Sequence, residues 1–482
     1  MDDLANNWGC NLLHISTDRR RGGDSIEGKC YKRLEEAVKK STKGVFVMTK
    51  ACSCGSDANA IAVLEATNGD TSRMAIAAGS YVAGDHGTLQ SWSTSGFAVQ
   101  ATLAYVQLPQ NISPFTEQHT LALPYRIPCQ FCEEDNAGEQ YEDVCFEALH
   151  VRLLLAHLFG QPLESILLEL ILGGNGGTLS DRAIRKLVKV LQHHNMKCVI
   201  DECLTGARCG PDILLTQSMP VDFQELVTHI SLSKWPGLGM ILENAKHRQH
   251  VADMEASSAI CPKLVRGPST HIICTEATQL WTKVQEKLSK IPARREEVLK
   301  AVNLNPQACW GKGLLMYGPK QRKDAAAGLK NRYLPLIDST KVDTMRLVAS
   351  KDHEKQNVCH TLQNQILAWV EHYKIVAANQ ANATNNGLDG HLCWLVLSEL
   401  AKPRPPGEEN SERFFRAEEL LSAIPDDNRK VNDDLKKRLG AVLKAALNKN
   451  LIKETQRGRK RTRGYSVVGL CHLNYLNDCT AV

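Results

Sequence analysis

Three short stretches of the sequence each place a polar or charged group directly after an apolar, strand-like run. Gly55 and Ser56 follow "GVFVMTK", Asp201 and Glu202 end "CVIDE", and Lys234 follows "HISLS". A Gly-Ser turn at a helix start offers free N–H groups, a hydroxyl and the positive end of the helix dipole, which suit a phosphate. A carboxylate at the end of a buried strand is costly unless it is paired, and a desolvated lysine can attack an aldehyde. Such groups together indicate a chemical site.

Each stretch also has an ordinary structural interpretation. Ser56 and Asp57 are common N-cap residues, and a lysine at a strand end, such as Lys234, is often a surface residue whose apolar stem packs on the protein. A protonated ring nitrogen of a cofactor is one partner that would offset the cost of burying Asp201. It is the order of all three stretches along the chain that favours chemistry.

Alternating helices and strands must position these residues. From about residue 27 to 240, helical runs such as "YKRLEEAVKKS" and "DRAIRKLVKVLQHH" alternate with apolar runs such as "RMAIAAG", "SILLELIL" and "KCVID". This alternation predicts an α/β fold in which helices cover a sheet. A segment of long helices and few strands follows from about 270 to 374. The Asn-rich stretch "AANQANATNNG" is then typical of a linker, which we place at 375–387.

Length and composition exclude some classes of protein. The chain has 482 residues, 43% of them hydrophobic, but no apolar run approaches the roughly 20 residues of a membrane span. The start "MDDLANNWGC" lacks the basic and apolar regions of a secretion signal, so we expect neither secretion nor membrane insertion. The 17 scattered cysteines indicate reduced thiols of a cytoplasmic or nuclear protein. The CxxC of Cys129 and Cys132 lacks completing ligands, so no metal is predicted.

The order and spacing of several motifs resemble those of the class III aminotransferases, fold-type-I enzymes that use pyridoxal 5′-phosphate. These motifs are "CSCGSDAN", "MAIAAGSYVAG", "LPYRIPC", "ILLELILGGNGGTLS", "VIDECLTGARCG", "SLSKWPGLG" and "RGPSTHIICTEA". The most specific is "VIDECLTGARCG", which closely resembles Asp-Glu-Val-x-Thr-Gly-x-x-Arg-x-Gly. The resemblance implies a large cofactor-binding domain over 1–245, with a mixed, mostly parallel sheet between helices, and a smaller α+β domain over 246–374.

The resemblance also implies catalytic roles. Lys234 would bind the aldehyde of the cofactor covalently and then move a proton between substrate and cofactor. Asp201 would keep the pyridine nitrogen protonated, which makes the ring an electron sink. Glu202 points to the other side of the strand and is expected to be structural.

Further residues are expected to hold the cofactor from its phosphate and ring sides. Gly55 and Ser56 would bind the phosphate, together with Thr270 of the partner subunit, so the resemblance implies a homodimer. Tyr81 is expected to stack on the pyridine ring, and His86 is the alternative.

Two departures from the family pattern concern the substrate side. Trp310, in "CWGKGLLM", stands where the family has an arginine that commonly binds a substrate carboxylate, and Glu169 precedes a leucine rather than the usual proline. We therefore expect poor use of glutamate and better use of amines or apolar amino acids. The predicted activity is transfer of an amino group from an amine or amino acid to a keto acid or aldehyde. Alternatives are a decarboxylase, racemase or eliminating enzyme, and an amine or cofactor sensor without turnover.

The C-terminal region, 388–482, carries the positive charge of the chain. The formal net charge is +5, but residues 429–463 hold 13 Lys/Arg against three Asp/Glu, a local +10 that leaves 5 − 10 = −5 elsewhere. Three helical runs are followed by the strand-like "LIKET", a basic turn and "YSVV". This order is typical of a winged helix, and the last helix and hairpin resemble those of the linker-histone globular domain.

In a winged helix the third helix would enter the major groove of DNA and the hairpin would contact phosphates. The residues expected to contact DNA are Lys436, Lys437, Arg457, Arg459, Lys460, Arg461 and Arg463. Three alternatives stay open for this region: a helical appendage with a solvated basic tail, a nuclear-localisation signal, and an AT-hook-like "RGRKR" without its proline.

Overall fold

The computed structural model describes most of the predicted elements. The described residues are 26–52, 55–67, 73–77, 80, 120–125, 137–173, 176–248, 270–301, 310–319, 349–350, 370, 373–375, 377–379, 381–382, 387–401, 415–423, 433–457 and 462–467. Within these ranges, no helix combines the length and the apolar character that crossing a bilayer demands.

A seven-stranded sheet lies at the centre of the described part. Its strands are β1 (Phe46–Cys52), β2 (Met74–Ala77), β3 (Thr120–Leu121), β4 (Ser165–Leu168), β5 (Lys197–Asp201), β6 (Val227–Leu232) and β7 (Gly239–Asn244). Their order is β1-β7-β6-β5-β4-β2-β3, in which β7 is antiparallel to β1 and β6 and the other pairs are parallel. The predicted α/β fold with a mixed, mostly parallel sheet is confirmed.

Helices cover both faces of this sheet. They are α1 (Ile26–Ser41), α2 (Gly55–Ala66), α3 (Ala137–Leu158), α4 (Asp181–His193), α5 (Val221–Leu226), α6 (Thr270–Lys287) and α7 (Ile291–Ala301). Side chains alternate along each strand, so Leu167 and Val199 pack in one cluster with α2, while Ile166 and Cys198 join the larger core on the other face. Strand β2 is fully apolar and β4 nearly so, as expected of parallel strands with both faces buried, whereas β6 and β7 also bury polar side chains such as His229 and Glu243.

A smaller sheet contacts the loop that follows β5. It contains β8 (Trp310–Lys312), β9 (Leu315–Pro319) and β10 (Ala349–Ser350), and the turn between β8 and β9 is at Gly313. Gly313 has a φ of +59°, and an added Cβ would lie 2.2 Å from the carbonyl oxygen of Arg208, so no side chain fits there. Leu314 donates its N–H to the same oxygen at 2.8 Å. The hairpin is thereby fixed beside the strand end that carries Asp201.

The C-terminal region contains three helices and then a hairpin, in the predicted order. These elements are α8 (Gly390–Ala401), α9 (Ala417–Ala423), α10 (Asp433–Asn448), β11 (Ile452–Arg457) and β12 (Thr462–Val467). The two strands are antiparallel, and Phe415 forms a further antiparallel bridge with Tyr465. Leu392, Trp394 and Val396 of α8 belong to the main hydrophobic core, where α8 packs on α3. The region is therefore joined to the large domain through apolar contacts.

Part of the segment predicted as a linker is helical. Residues 377–379 and 381–382 are helical, and Ala377 and Ala381 are buried. An added Cβ at Gly390 would lie 2.2 Å from the carbonyl oxygen of Ala377, so the segment packs closely on the start of α8. The alanines are four residues apart and share one helix face, whereas the four asparagines of the stretch gave it its linker-like composition.

Candidate active site

Asp201 and Lys234 lie at the same edge of the sheet, where β5 and β6 end. The two strands are parallel, and Asp201 pairs in register with Ser231. Glu202 donates its N–H to the carbonyl oxygen of Ser231 at 2.9 Å, and Lys234 follows three residues later. In α/β sheets the carboxyl ends of the strands are the usual location of ligand sites.

Helix α2 begins at the same edge. An added Cβ at Gly55, the first residue of α2, would lie 2.7 Å from Sγ of Cys203 and 3.0 Å from Cβ of Ser233. The first turn of the helix is therefore in direct contact with the residues that follow β5 and β6, and a larger residue at position 55 would separate them. The positive end of the helix dipole lies beside Asp201 and Lys234.

The Asp201 carboxylate is buried and held by hydrogen bonds from two directions. Its Oδ2 accepts from Nδ2 of Asn59 at 2.6 Å, and its Oδ1 accepts from the N–H of Cys203 at 2.8 Å. Asn59 is itself oriented by Ser231, whose Oγ donates to Oδ1 of Asn59. Two ionised carboxylate oxygens offer about four acceptor positions, so this network fixes the group and still leaves acceptor capacity for a ligand.

Lys234 occupies an unusual backbone conformation. Its φ is +68°, in the left-handed region that non-glycine residues adopt at a cost of about 1–3 kcal/mol and often at functional sites. Its carbonyl oxygen accepts from the N–H of Gly237 at 3.1 Å. The neighbouring Trp235 is buried against Trp281, with ring centroids 4.9 Å apart. The buried indole anchors the turn, whereas the Lys234 side chain is exposed.

The thiol of Cys203 interacts electrostatically with both Asp201 and Lys234. Burial raises its pKa above the ordinary value, the Asp201 carboxylate raises it further, and the Lys234 ammonium lowers it. The Asp201 carboxylate and the Lys234 ammonium therefore act on the same buried thiol in opposite directions. Neither Cys203 nor Asn59 was predicted from the sequence as a site residue.

Glu202 is engaged within the protein. Its Oε1 accepts from the N–H of Thr216 at 2.7 Å and from the Thr216 hydroxyl at 2.5 Å. Its Oε2 accepts from the N–H of Leu215 at 2.7 Å and from the Thr205 hydroxyl at 3.2 Å. Burial raises the pKa of Glu202, although these hydrogen bonds act in the opposite direction. The carboxylate connects the loop after β5 to the short 3-10 helix at 215–218, which agrees with the structural role expected for it.

Glu169 lies at the carboxyl edge one strand further along, after β4. Its Oε2 accepts from the N–H of Gly173 at 3.0 Å, its N–H donates to the Ser80 hydroxyl at 3.3 Å, and its carbonyl oxygen accepts from the Tyr125 hydroxyl at 2.6 Å. It is buried in these contacts. Its predicted place on the substrate side stays a prediction.

Several predicted site residues lie outside the described part. Tyr81, His86, Arg459, Lys460 and Arg461 are not among the described residues. The backbone is described, but the side chain is not, for Ser56 in α2, Thr270 at the start of α6, Trp310 at the start of β8, Arg457 in β11 and Arg463 in β12. The roles expected for these side chains stay predictions.

The exposed face of α10 carries positive charge. Leu439, Val442 and Leu443 are buried, while Lys436 and Lys437, in the first turn of the helix, are exposed. Arg438 is also exposed, but it forms an ion pair with Asp389 and lies 3.8 Å from a carboxylate oxygen of Asp434.

Comparison with known proteins gives structural likenesses only. No family model matches the sequence, and no curated protein matches it. One similar solved structure is the lysine aminotransferase from M. tuberculosis in the internal aldimine form, with 14% identity, 59% of this chain and 66% of that chain covered, and a TM-score of 0.39. A second is N-acetylornithine aminotransferase from Stenotrophomonas maltophilia K279a, with 13% identity, coverage of 71% and 79%, and a TM-score of 0.36.

A third similar structure is a phospholyase from Arthrobacter in complex with phosphoethanolamine, with 16% identity, coverage of 65% and 69%, and a TM-score of 0.45. The aligned region spans just under two thirds of the lysine aminotransferase. These TM-scores are all below 0.5, so the likenesses do not indicate an activity.

Proposed function

We propose that the chain binds pyridoxal 5′-phosphate at this edge of the sheet and transfers amino groups, as a fold-type-I enzyme similar to the class III aminotransferases. The observation that carries the proposal is the meeting of α2, Asp201 and Lys234 through the contact of Gly55 with Cys203 and Ser233. A phosphate-binding helix start, a fixed carboxylate and a lysine are the groups that this cofactor requires.

The start of α2 and the Asp201 carboxylate both fit the cofactor. The first turn of α2 presents N–H groups and the positive dipole end for the phosphate. The Asp201 carboxylate, held in place by Asn59, can accept a hydrogen bond from a protonated ring nitrogen. When bound, the cofactor supplies an electron sink that stabilises negative charge on the substrate α-carbon.

Lys234 has the position that a covalent anchor and proton carrier needs. Its turn is fixed by the buried Trp235, while its side chain is exposed and remains accessible to an aldehyde. In this proposal the Lys234 amine holds the cofactor and then carries the proton at the substrate α-carbon. The partner-subunit role of Thr270 and the ring-stacking role of Tyr81 remain predictions from the resemblance.

Reductive trapping tests the proposal directly. The purified chain is incubated with pyridoxal 5′-phosphate, reduced with borohydride, digested and mapped by mass spectrometry. We expect one cofactor per chain on the peptide that contains Lys234, because this lysine follows β6 at the edge where the α2 start and Asp201 meet. Lys197, exposed at the other end of β5, is the internal control and should stay unmodified. Dominant labelling of any other lysine contradicts the assignment.

A panel of amino donors then separates the activities that one cofactor supports. We propose that Trp310 replaces a carboxylate-binding arginine, so amines and apolar amino acids should convert the bound cofactor faster than glutamate does. Stopped-flow absorbance with each donor measures the half-reaction. Release of carbon dioxide or loss of stereochemistry without amino transfer would instead support a decarboxylase or a racemase.

A second proposed function is binding of duplex DNA by the C-terminal region, as a winged helix. The supporting observation is the pair of exposed lysines, Lys436 and Lys437, in the first turn of α10, which is followed by a hairpin with a basic turn. A winged helix uses such a third helix and hairpin against DNA. If an amine changed the DNA affinity without being converted, the chain would act as a sensor rather than an enzyme.

Fluorescence anisotropy of the full-length chain with a DNA duplex, across a salt series, tests this second function. Affinity should fall with salt at a log–log slope of about −0.9 for each neutralised phosphate. Reversing Lys436 and Lys437 to Glu should reduce the magnitude of that slope by about 2, roughly one for each lysine. Lys39 and Lys40, exposed at the end of α1, receive the same charge reversal as the control. Equal effects of the two double variants would show that only net charge matters.

A further inference from the structure

Three histidines meet at the edge of the sheet opposite the candidate active site. His150 lies on α3, His193 is the last residue of α4, and His194 follows it, just before β5 begins. One ring nitrogen of each residue lies within 4.8 Å of the others. The Nδ1 of His150 is 3.0 Å from the Nε2 of His194. Within the described ranges, this is the one cluster of at least three potential metal-binding side chains.

Helices α3 and α4 are also connected at the end remote from the histidines, which fixes their relative position. Near the start of α4, the Ser180 hydroxyl donates to Oε1 of Glu142 at 2.5 Å, and Nη1 of Arg182 donates to Oε2 of Glu142 at 3.2 Å. At the other end, the N–H of His194 donates to the carbonyl oxygen of Val190 and closes α4. The imidazoles therefore project from fixed backbone rather than from a loop.

The chemistry of this cluster suits a cation with nitrogen ligands. Burial, and then the neighbouring His193, lower the pKa of His150 to about 3. Burial also lowers the pKa of His193 and of His194, and for His194 the neighbouring histidines lower it further. Neutral imidazole is the form of histidine that binds metals. The negative end of the α4 dipole lies at His193 and His194 and favours a cation.

We propose that His150, His193 and His194 bind one divalent transition-metal ion, of which Zn²⁺ is the representative. Zinc–nitrogen bonds of about 2.0–2.1 Å at tetrahedral angles place ligand nitrogens roughly 3.3 Å apart. The His150 and His194 nitrogens are already near that spacing, and the half-buried His193 ring has to approach by rotation of its side chain. In their mutual hydrogen bond, one of the two nitrogens carries a hydrogen. When a metal ion binds, that nitrogen releases its hydrogen to solvent and the other nitrogen of the same ring takes one up, so both rings stay neutral.

A metal at this position would connect α3 to the end of α4. Three nitrogen ligands leave a fourth position for water, and His150 is buried while His193 and His194 are half-buried, so an ion can enter from the surface. Because α3 also packs against α8, the ion would stabilise the helix that joins the large domain to the C-terminal region. This inference is independent of the proposed cofactor.

Metal titration of the full-length chain tests the proposal. Isothermal titration with Zn²⁺ should give one ion per chain, and the midpoint of thermal unfolding should rise with Zn²⁺ and return on chelation. Co²⁺ difference spectra should show visible bands of a tetrahedral nitrogen site without the near-ultraviolet bands of thiolate ligands. Loss of an outer hydrogen bond to a ligand already costs about 10- to 100-fold in affinity, so His193→Ala and His194→Ala should each weaken binding by at least about 100-fold.

The control is His247→Ala, which removes a half-buried histidine whose Nε2 lies 3.0 Å from the carbonyl oxygen of Glu225. It should leave the affinity unchanged. Because His193 and His194 are only half-buried, their variants are expected to fold, which circular dichroism checks. Absence of Zn²⁺ binding in the unsubstituted chain, thiolate bands with Co²⁺, or unchanged affinity in both variants would each overturn the proposal.

Discussion

Under the proposed function, replacing Lys234 by alanine is expected to abolish covalent retention of pyridoxal phosphate and to lower amino transfer by at least about 10²- to 10⁴-fold, the effect of losing one positioned acid–base group. The reason is positional. Lys234 stands at the end of β6, where the first turn of α2 and the carboxylate of Asp201 meet. The measurement is the single-turnover rate with the best amino donor, together with the cofactor content after gel filtration.

Two controls make this result specific to the amine. Lys197→Ala, at the opposite end of the strands, should keep full activity because its exposed side chain is remote from the carboxyl edge. Added methylamine should restore part of the rate of the Lys234→Ala protein, since a small free amine can carry the proton at the α-carbon. A Lys234→Ala protein that turns over at the unsubstituted rate would refute the catalytic role.

Replacing Glu202 by alanine is expected to lower the free energy of unfolding by about 2–6 kcal/mol. The substitution leaves the buried N–H groups of Leu215 and Thr216 without an acceptor, and each such group costs about 1–3 kcal/mol. The two threonine hydroxyls can rotate toward other acceptors and add less. Urea unfolding measures the difference in the free energy of unfolding. The slope of that free energy against urea concentration should be the same for both proteins.

The isosteric Glu202→Gln variant retains one carbonyl oxygen and should lose about half as much stability. Glu225→Ala removes an exposed carboxylate and, as a surface substitution, should change stability by no more than about 0.5 kcal/mol. If Glu202→Ala were as stable as Glu225→Ala, the buried hydrogen bonds of Glu202 would contribute nothing to the fold.

The parts of the site that could be predicted from the sequence are those set by local patterns. Apolar runs marked five strands of the large sheet, β1, β2, β4, β5 and β6, but not β3 and β7. Asp201 ends one such run and Lys234 follows another, so parallel pairing brings them to one edge. Asn59 was missed because its role depends on α2 crossing β5 and β6. One signal existed: Asn59 follows Gly55 by four residues and therefore shares its helix face.

Contacts between distant segments were not predictable from spacing. His150 and His194 are 44 residues apart, and only the packing of α3 beside α4 brings their rings together. The sequence shows the pair at the end of "LQHH" but nothing that identifies its third member. The helical residues within the predicted linker were missed for a related reason. Ala377 and Ala381 are buried by contacts that the composition of the stretch does not reveal.

Because α8 makes an apolar contact with α3, the C-terminal helices are not an independent unit that can be removed without exposing apolar surface. Cutting the chain at residue 387 would separate α8 from α3 and expose apolar surface on both fragments. If these helices were fused to an unrelated protein, that protein would therefore need an apolar surface on which α8 could pack. Because α10 packs on α8, its exposed lysines are held against the body of the protein, without the reach that a flexible tether would provide.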